Sequence, residues 1–156
     1  MKIQWKKLLV CIAIPLIVGG IAGIITMGAM EDFEALAKPP LSPPGWLFPV
    51  AWGILYTLMG IASYLVITSG GPAKQINSAI AVYAIQLIFN FFWSIFFFNF
   101  GFYYFSFAWL IALWLLIIVT LILFSRLSNA AGYLIIPYLL WVSFAAYLNL
   151  GVAMLN

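Results

Sequence analysis

Charged residues divide the chain into long apolar stretches. Residues 8–30, 39–73, 75–125 and 127–156 contain no Asp, Glu, Lys or Arg. A membrane-spanning helix needs about 20 mostly apolar residues, so the first, second and fourth stretches each hold one span. The third stretch is long enough for two spans if residues 99–101 form a tight turn. The pattern predicts five transmembrane helices, at about residues 8–27, 47–68, 78–98, 102–124 and 131–155.

Composition agrees with an all-α membrane protein, a five-helix bundle that forms one domain over residues 1–156. The chain is 67% hydrophobic and 6% charged, whereas soluble domains carry about 25% charged residues. Residues 1–27 could instead be a signal peptide. We favour a retained span, because the apolar run is longer than that of a signal peptide and residues 27–29 make a poor cleavage site.

The charges also predict an orientation. One side of the membrane would collect most of the basic residues: Lys2, Lys6, Lys7, Lys74 and Arg126. The other side would hold Lys38 together with Glu31, Asp32 and Glu34. The positive-inside rule then places the N-terminus in the cytoplasm and the first loop, residues 28–45, outside. The net charge of +3 is not clustered with aromatic residues, so we expect no nucleic-acid partner.

Several kinds of chemistry are excluded by the residue types. The sequence has no histidine, which removes His-ligated haem, histidine bases and Ser-His triads. The single cysteine, Cys11, lies in an apolar run, so we interpret it as a core or lipid-facing residue rather than a nucleophile. No metal site is predicted. No charged residue lies inside a predicted span, which argues against an ion-coupled transporter.

Uncharged polar and aromatic residues fall on single faces of three predicted helices, at spacings of three, four and seven residues. Amides that face lipid are costly, so these faces should point inward. Together they would form a pocket with aromatic walls and a few amide groups, suited to a flat, largely apolar ligand. The residues are Trp52, Tyr56, Met59 and Ser63; Gln86, Asn90, Trp93 and Phe97; and Trp141, Phe144, Ala145, Leu148 and Asn149.

Simpler interpretations stay open for some of these residues. Gln86 and Asn90 could act only as hydrogen-bonding links between helices. Trp5, Trp46 and Trp109 are interpreted as anchors at the membrane interface. The G-x-x-x-G pattern from Gly19 to Gly23 is a close-packing signal that fits either packing within the chain or a dimer.

The first predicted loop is rich in proline just before the second span. Pro39, Pro40, Pro43 and Pro44 favour a stiff, extended segment. Such a segment covers a pocket at low entropic cost, although it could also be a rigid connector with no ligand role. Pro49 falls in the first turn of the helix that follows, where its missing N–H is tolerated.

Three motifs together resemble the TspO/MBR family of translocator proteins and tryptophan-rich sensory proteins. They are K-P-P-x-x-P-P-G-W-x-F-P-x-x-W-x-x-x-Y at 38–56, Q-L-x-F-N-x-x-W at 86–93, and P-Y-L-x-W-x-x-F-A-x-Y-L-N at 137–149. The resemblance covers nearly the whole chain and implies a five-helix bundle, usually a homodimer. It also implies a pocket that opens toward the first loop, and a place in a bacterial cell membrane.

The resemblance assigns a function and roles to residues. Members bind porphyrins such as protoporphyrin IX, and bacterial members are reported to promote its light-dependent breakdown. Trp52 and Trp141 match the pocket tryptophans tied to that breakdown. Further pocket positions match Tyr56, Asn90, Trp93, Ala145 and Leu148, and the covering loop matches Pro43, Pro44 and Trp46. With Gln86 and Phe144 from the pattern of helix faces, these form the predicted ligand-binding set.

The chain also departs from the family pattern. Asp32 and Phe33 stand where members commonly have Trp-Tyr, which affects ligand contacts of the loop. No basic residue follows Tyr147, so sterol binding through that motif is unsupported.

The expected function is a membrane receptor or sensor for a porphyrin or another flat apolar molecule. No obligatory cofactor is expected, and protoporphyrin IX or a haem-like tetrapyrrole would be the ligand. No acid–base pair for hydrolysis is visible, so any turnover would be photo-oxidation. A transporter of tetrapyrroles or lipids and a membrane scaffold are the alternatives.

Overall fold

The computed structural model describes residues 2–156, and the regular structure in these residues is entirely helical. A 3₁₀ turn at Met27–Ala29 joins the first two helices, and a π-helical turn at Ile95–Asn99 extends the fourth. Five of the helices are long and apolar enough to cross a membrane, which confirms the predicted fold class. The helices are α1 (Trp5–Thr26), α2 (Met30–Ala35), α3 (Leu47–Ile67), α4 (Ala73–Ser94), α5 (Tyr103–Leu127) and α6 (Asn129–Leu155).

The ends of several spans lie further out than predicted, because polar residues continue the helices beyond the apolar runs. Helix α4 begins directly after Pro72 rather than at about residue 78. Helix α5 continues through Arg126 and ends where Ser128 adopts an extended backbone. The Ser128 hydroxyl then accepts a hydrogen bond from the Ala131 N–H at 3.3 Å and so caps the start of α6.

The first loop, residues 28–45, contains a short helix in addition to the extended proline segment that the sequence predicts. Its first half is helical, because residues 29–37 contain neither proline nor glycine. Helix α2 carries Glu31 and Asp32 in its first turn, where acidic side chains are favourable. The backbone becomes extended only at Leu36, shortly before the prolines.

The spanning helices form a closed ring in the order α1, α3, α6, α5 and α4, with α4 returning to α1. Helices α5 and α6 pack together most extensively, as their short connection predicts. Helices α3 and α4 are joined by only five residues, 68–72, but contact each other little, because α1 and α5 lie beside α4 instead. The ring encloses the amide side chains, and Gln86, Asn90 and Asn149 are all buried.

The proline-rich half of the loop is fastened to the C-terminal part of α6. The Tyr147 hydroxyl donates a hydrogen bond to the Pro40 carbonyl at 2.7 Å. The Asn156 side chain accepts from the Ala37 N–H and donates to the Ala37 carbonyl. Gly151 lets the Pro39 ring lie directly on the helix, since a Cβ there would be 2.6 Å from the Pro39 Cβ. The loop is therefore held at three nearby residues, Ala37, Pro39 and Pro40.

Helices α1 and α3 approach each other most closely at Gly60. A Cβ at this position would lie 2.7 Å from the Cys11 carbonyl oxygen and would collide with the Ile12 Cα, and both are backbone atoms. Cys11 is buried here, in agreement with its interpretation as a core residue. Nearer the loop, Gly19 faces the Tyr56 ring, so the first glycine of the G-x-x-x-G pattern packs within the chain.

We expect Gly60→Ala to destabilise the bundle, because the backbone of α1 must move to admit the methyl group. Overpacking of this kind costs about 1–3 kcal/mol. The matched control is Gly53→Ala in the same helix, where a Cβ meets no atom within 4 Å. Thermal unfolding of the purified protein in detergent should show a lower midpoint for Gly60→Ala only. Equal midpoints for the two variants would contradict the proposed backbone contact.

Candidate ligand-binding site

A cavity of about 640 Å³ lies inside the loop end of the bundle. Helices α1, α3, α4 and α6 form its walls, and residues from α2 and the following loop border its mouth. Its size is typical of small-molecule sites, which run from about 300 to 1,000 Å³. Most of the lining is apolar, and six of its side chains are aromatic: Phe48, Trp52, Tyr56, Trp93, Phe98 and Trp141.

Trp52 is the centre of the aromatic wall. Its indole stacks on the Tyr56 ring, with centroids 5.4 Å apart and an interplanar angle of 25°. The Trp141 ring is edge-on to the Trp52 ring, with centroids 6.4 Å apart, and the centroid of the tilted Trp93 ring lies 6.5 Å from that of Trp52. Trp52 and Tyr56 share one face of α3 because they are four residues apart. Three helices thus bring their aromatic rings to one point.

A chain of hydrogen bonds connects the cavity to the core. The Tyr56 hydroxyl donates to Asn90 Oδ1 at 2.9 Å, and Asn90 Nδ2 donates to the Tyr138 oxygen at 2.7 Å. Tyr138 donates in turn to Gln86 Oε1 at 2.6 Å. All four residues are buried, so the chain satisfies polar groups that lipid cannot solvate. It ties α3, α4 and α6 together next to the cavity.

Two further hydrogen bonds orient Trp93 but not Trp141. Trp93 Nε1 donates to Asn149 Oδ1 at 3.0 Å, and Asn149 Nδ2 donates to the Tyr103 carbonyl at 2.8 Å. The Trp93 ring is therefore fixed from the side of α6. By contrast, Trp141 Nε1 is buried and has no partner among the described residues. A buried unpaired donor is costly, and the Trp141 ring lacks the stabilising hydrogen bond that Trp93 has.

The wall from α1 is built largely from small residues. Gly19, Gly20, Ala22 and Gly23 line the cavity, and a Cβ at Gly20 or Gly23 would meet no atom within 4 Å. The same is true of Gly53 on α3. The absence of side chains at these positions leaves the space that a ligand could fill. The glycine pattern of the first span was the signal for this wall, although by itself it indicated only close packing, within the chain or in a dimer.

The cavity has one charged residue in its described lining, Glu34 of α2. It lies at the mouth with Met30 and Gly45. The neighbouring Lys38 donates to the Glu34 carbonyl at 2.8 Å, and its ammonium lies 5.0 Å from the centroid of the Phe33 ring. In the described part of the chain, no group of three or more Cys, Asp or Glu side chains could hold a metal ion.

The chain matches known proteins along nearly its whole length. The model of the TspO/MBR family matches residues 11–155. This chain belongs to the TspO/MBR family. It is 38% identical to the tryptophan-rich protein TspO of Chlorobaculum tepidum, over 100% of this chain and 99% of that relative. The family assignment from the three sequence motifs is confirmed.

Two further members match over most of the chain. The chain is 37% identical to the tryptophan-rich sensory protein of Cereibacter sphaeroides, over 84% of this chain and 83% of the relative. It is 36% identical to the translocator protein of Ovis aries, over 75% of this chain and 70% of the relative. Together with the five membrane-spanning helices, these matches make the chain an integral membrane protein of this family.

The structure brings six of the twelve predicted ligand-binding residues to the cavity. These are Trp52, Tyr56, Asn90, Trp93, Trp141 and Ala145. Gln86 is 1% exposed and supports the lining through Tyr138, while Leu148 is buried outside the lining. Phe144 lies instead on a groove of about 440 Å³ on the outer surface between α3 and α6, of which Trp141 also forms part.

The three predicted loop residues, Pro43, Pro44 and Trp46, do not line the cavity. Trp46 is 67% exposed, as an anchor at the membrane interface would be. The proline segment is held instead by Tyr147 of α6 and by Asn156. Met30 and Glu34 of α2 border the mouth in place of the prolines.

We expect Tyr138→Phe to lower the free energy of unfolding, since it leaves Asn90 Nδ2 and Gln86 Oε1 without their partner. An unsatisfied buried polar group costs about 1–3 kcal/mol. Tyr133→Phe is the matched control, because Tyr133 lies on the same helix and is 70% exposed. Thermal unfolding of both variants in detergent checks the prediction. If the two substitutions shift the midpoint equally, the hydrogen-bond chain does not contribute as described.

Proposed function

We propose that this member of the TspO/MBR family is a membrane receptor or sensor that binds a porphyrin such as protoporphyrin IX, or another flat hydrophobic molecule, in the cavity. The observation that carries the proposal is the position of Trp52. Its indole lies among Tyr56, Trp93 and Trp141 in a cavity of about 640 Å³. Flat aromatic ligands stack on such rings, and the few polar groups orient them.

The polar groups support the same kind of ligand. Trp141 Nε1–H is a donor without a partner among the described residues, and Tyr56 and Asn90 add polar side chains to the lining. A largely apolar ring system with a small number of polar atoms matches this lining. The homodimer, the cytoplasmic N-terminus and the bacterial membrane remain predictions from the sequence and its resemblance.

A binding titration tests this proposal. Protoporphyrin IX added in the dark to the purified protein in detergent should quench tryptophan fluorescence in a saturable way. The double variant Trp52→Phe/Trp141→Phe should bind about tenfold more weakly, since replacing two indoles by the smaller phenyl ring removes stacking area at a cost of about 1.4 kcal/mol. The matched control is Trp5→Phe/Trp114→Phe, because neither tryptophan lines the cavity.

The outcomes separate the alternatives. If both double variants retain saturable binding, the ligand binds outside the cavity. Absence of saturable binding in the parent protein would leave a lipid ligand or a scaffold role. Porphyrin flux into sealed vesicles that contain the protein, above that of empty vesicles, would favour a transporter.

Light-dependent breakdown of the bound porphyrin is a second candidate function, which the proximity of oxidisable indoles favours. Trp52 and Trp141 lie with ring centroids 6.4 Å apart in the cavity. Light would excite the porphyrin, dioxygen would be the oxidant, and the two indoles would take part in the oxidation.

Illumination of the bound complex tests this second function. Porphyrin absorbance should fall faster than that of free porphyrin, and Trp52→Phe or Trp141→Phe should slow the loss at equal occupancy. Trp114→Phe, outside the cavity lining, should leave the rate unchanged. If both cavity variants degrade porphyrin at the parent rate, these tryptophans have no photochemical role.

A further inference from the structure

The hydrogen-bond chain behind the cavity does not stop at Gln86. Gln86 Nε2 points to the Met59 sulfur at 3.9 Å, within reach of an N–H···S hydrogen bond. Met59 is 0% exposed and does not line the cavity. The complete chain therefore runs from Tyr56 at the cavity, through Asn90, Tyr138 and Gln86, to a thioether in the core.

Four of these five groups, the two tyrosine hydroxyls and the two amides, could also form the same chain with every donor and acceptor exchanged. A tyrosine hydroxyl both donates and accepts, and an amide offers a donor at one end and an acceptor at the other. Rotation of both amides by 180°, with the hydroxyl protons following, would reverse every bond from Tyr56 to Gln86. Nothing in these four residues alone decides between the two directions.

Met59 decides the direction because a thioether sulfur can only accept a hydrogen bond. The amino group of Gln86 must therefore face Met59, and its carbonyl oxygen must face Tyr138. Tyr138 then uses its single proton on Gln86 and can only accept from Asn90. The Asn90 carbonyl oxygen is left facing Tyr56, which must donate to it. In the reversed chain, the Gln86 oxygen would face the sulfur without a donor, a costly arrangement for a buried group.

We infer that Met59 and Gln86 determine the hydrogen-bonding character of the cavity from outside it, as positioning residues for ligand specificity. Tyr56 gives its proton to Asn90, so a ligand that reaches the Tyr56 oxygen meets an acceptor. The site therefore prefers a flat apolar ligand that carries an N–H or O–H donor at this edge. It disfavours a ligand of the same shape with an acceptor there. The inference rests on the proposed binding function and specifies its ligand.

Carbazole and dibenzofuran are suitable probes, because they have nearly the same shape and size. Carbazole carries an N–H where dibenzofuran has an oxygen acceptor. Equilibrium dialysis of each compound against the full-length protein in detergent, with empty micelles subtracted, gives two dissociation constants. A single hydrogen bond is expected to favour carbazole by about 3- to 10-fold in the parent protein.

The variant Met59→Leu removes the sulfur acceptor with little change in volume, so we expect the bundle to fold. Both directions of the chain then leave one end of Gln86 unpaired, and the preference for carbazole should fall to below about 2-fold. Met154→Leu is the matched control, since Met154 is 70% exposed on α6 and takes no part in the hydrogen-bond chain. It should keep the parent ratio. Tyr56→Phe removes the acceptor itself and should abolish the preference.

The ratio separates a positioning role from a merely structural one. Loss of packing at Met59 would weaken both probes equally and leave their ratio unchanged, which would overturn the inference. Equal binding of the probes to the parent protein, or a preference for dibenzofuran, would overturn it without any variant and leave the receptor function intact. If neither probe binds saturably, the inference fails together with the proposed cavity function.

Discussion

Lipid offers no hydrogen bonds to a protein, and this constraint organises the bundle. Every amide inside the spans must find its partner within the chain. Asn90 lies between Tyr56 and Tyr138, and Gln86 lies between Tyr138 and Met59. These bonds join α3, α4 and α6 at one level, so the walls of the cavity are fixed where they meet. The polar interactions therefore position the aromatic rings as well as stabilise the fold.

The cavity exists because two opposite requirements meet at the loop end of the bundle. Large aromatic rings from α3, α4 and α6 converge on Trp52, while α1 offers glycines at Gly20 and Gly23. Closer packing would have needed side chains at those two positions. Further from the loop, Gly60 brings the backbones of α1 and α3 into contact. These two helices therefore touch at Gly60 and are separated by the cavity near the loop.

The stiffness of the loop is a local property, whereas its position depends on tertiary contacts. Its prolines stiffen the segment after Leu36, and Tyr147 and Asn156 hold that segment to α6. The anchored part therefore does not line the cavity, and α2 borders the mouth instead. A proline motif indicates a rigid segment but not the surface on which it lies. That surface is decided by partners more than 100 residues away in the chain.

The sequence by itself determined the five spans, the family and the inward faces of three helices. These properties are local, because apolar length and helical spacing can be read along one segment. Six residues on such faces were predicted from the sequence to bind a ligand and line the cavity: Trp52, Tyr56, Asn90, Trp93, Trp141 and Ala145. The order of helices around the ring, the contribution of α1 and the exclusion of Pro43, Pro44 and Trp46 from the cavity were decided only by the tertiary structure. Each of these depends on which distant surfaces meet, and no periodicity within one helix records that.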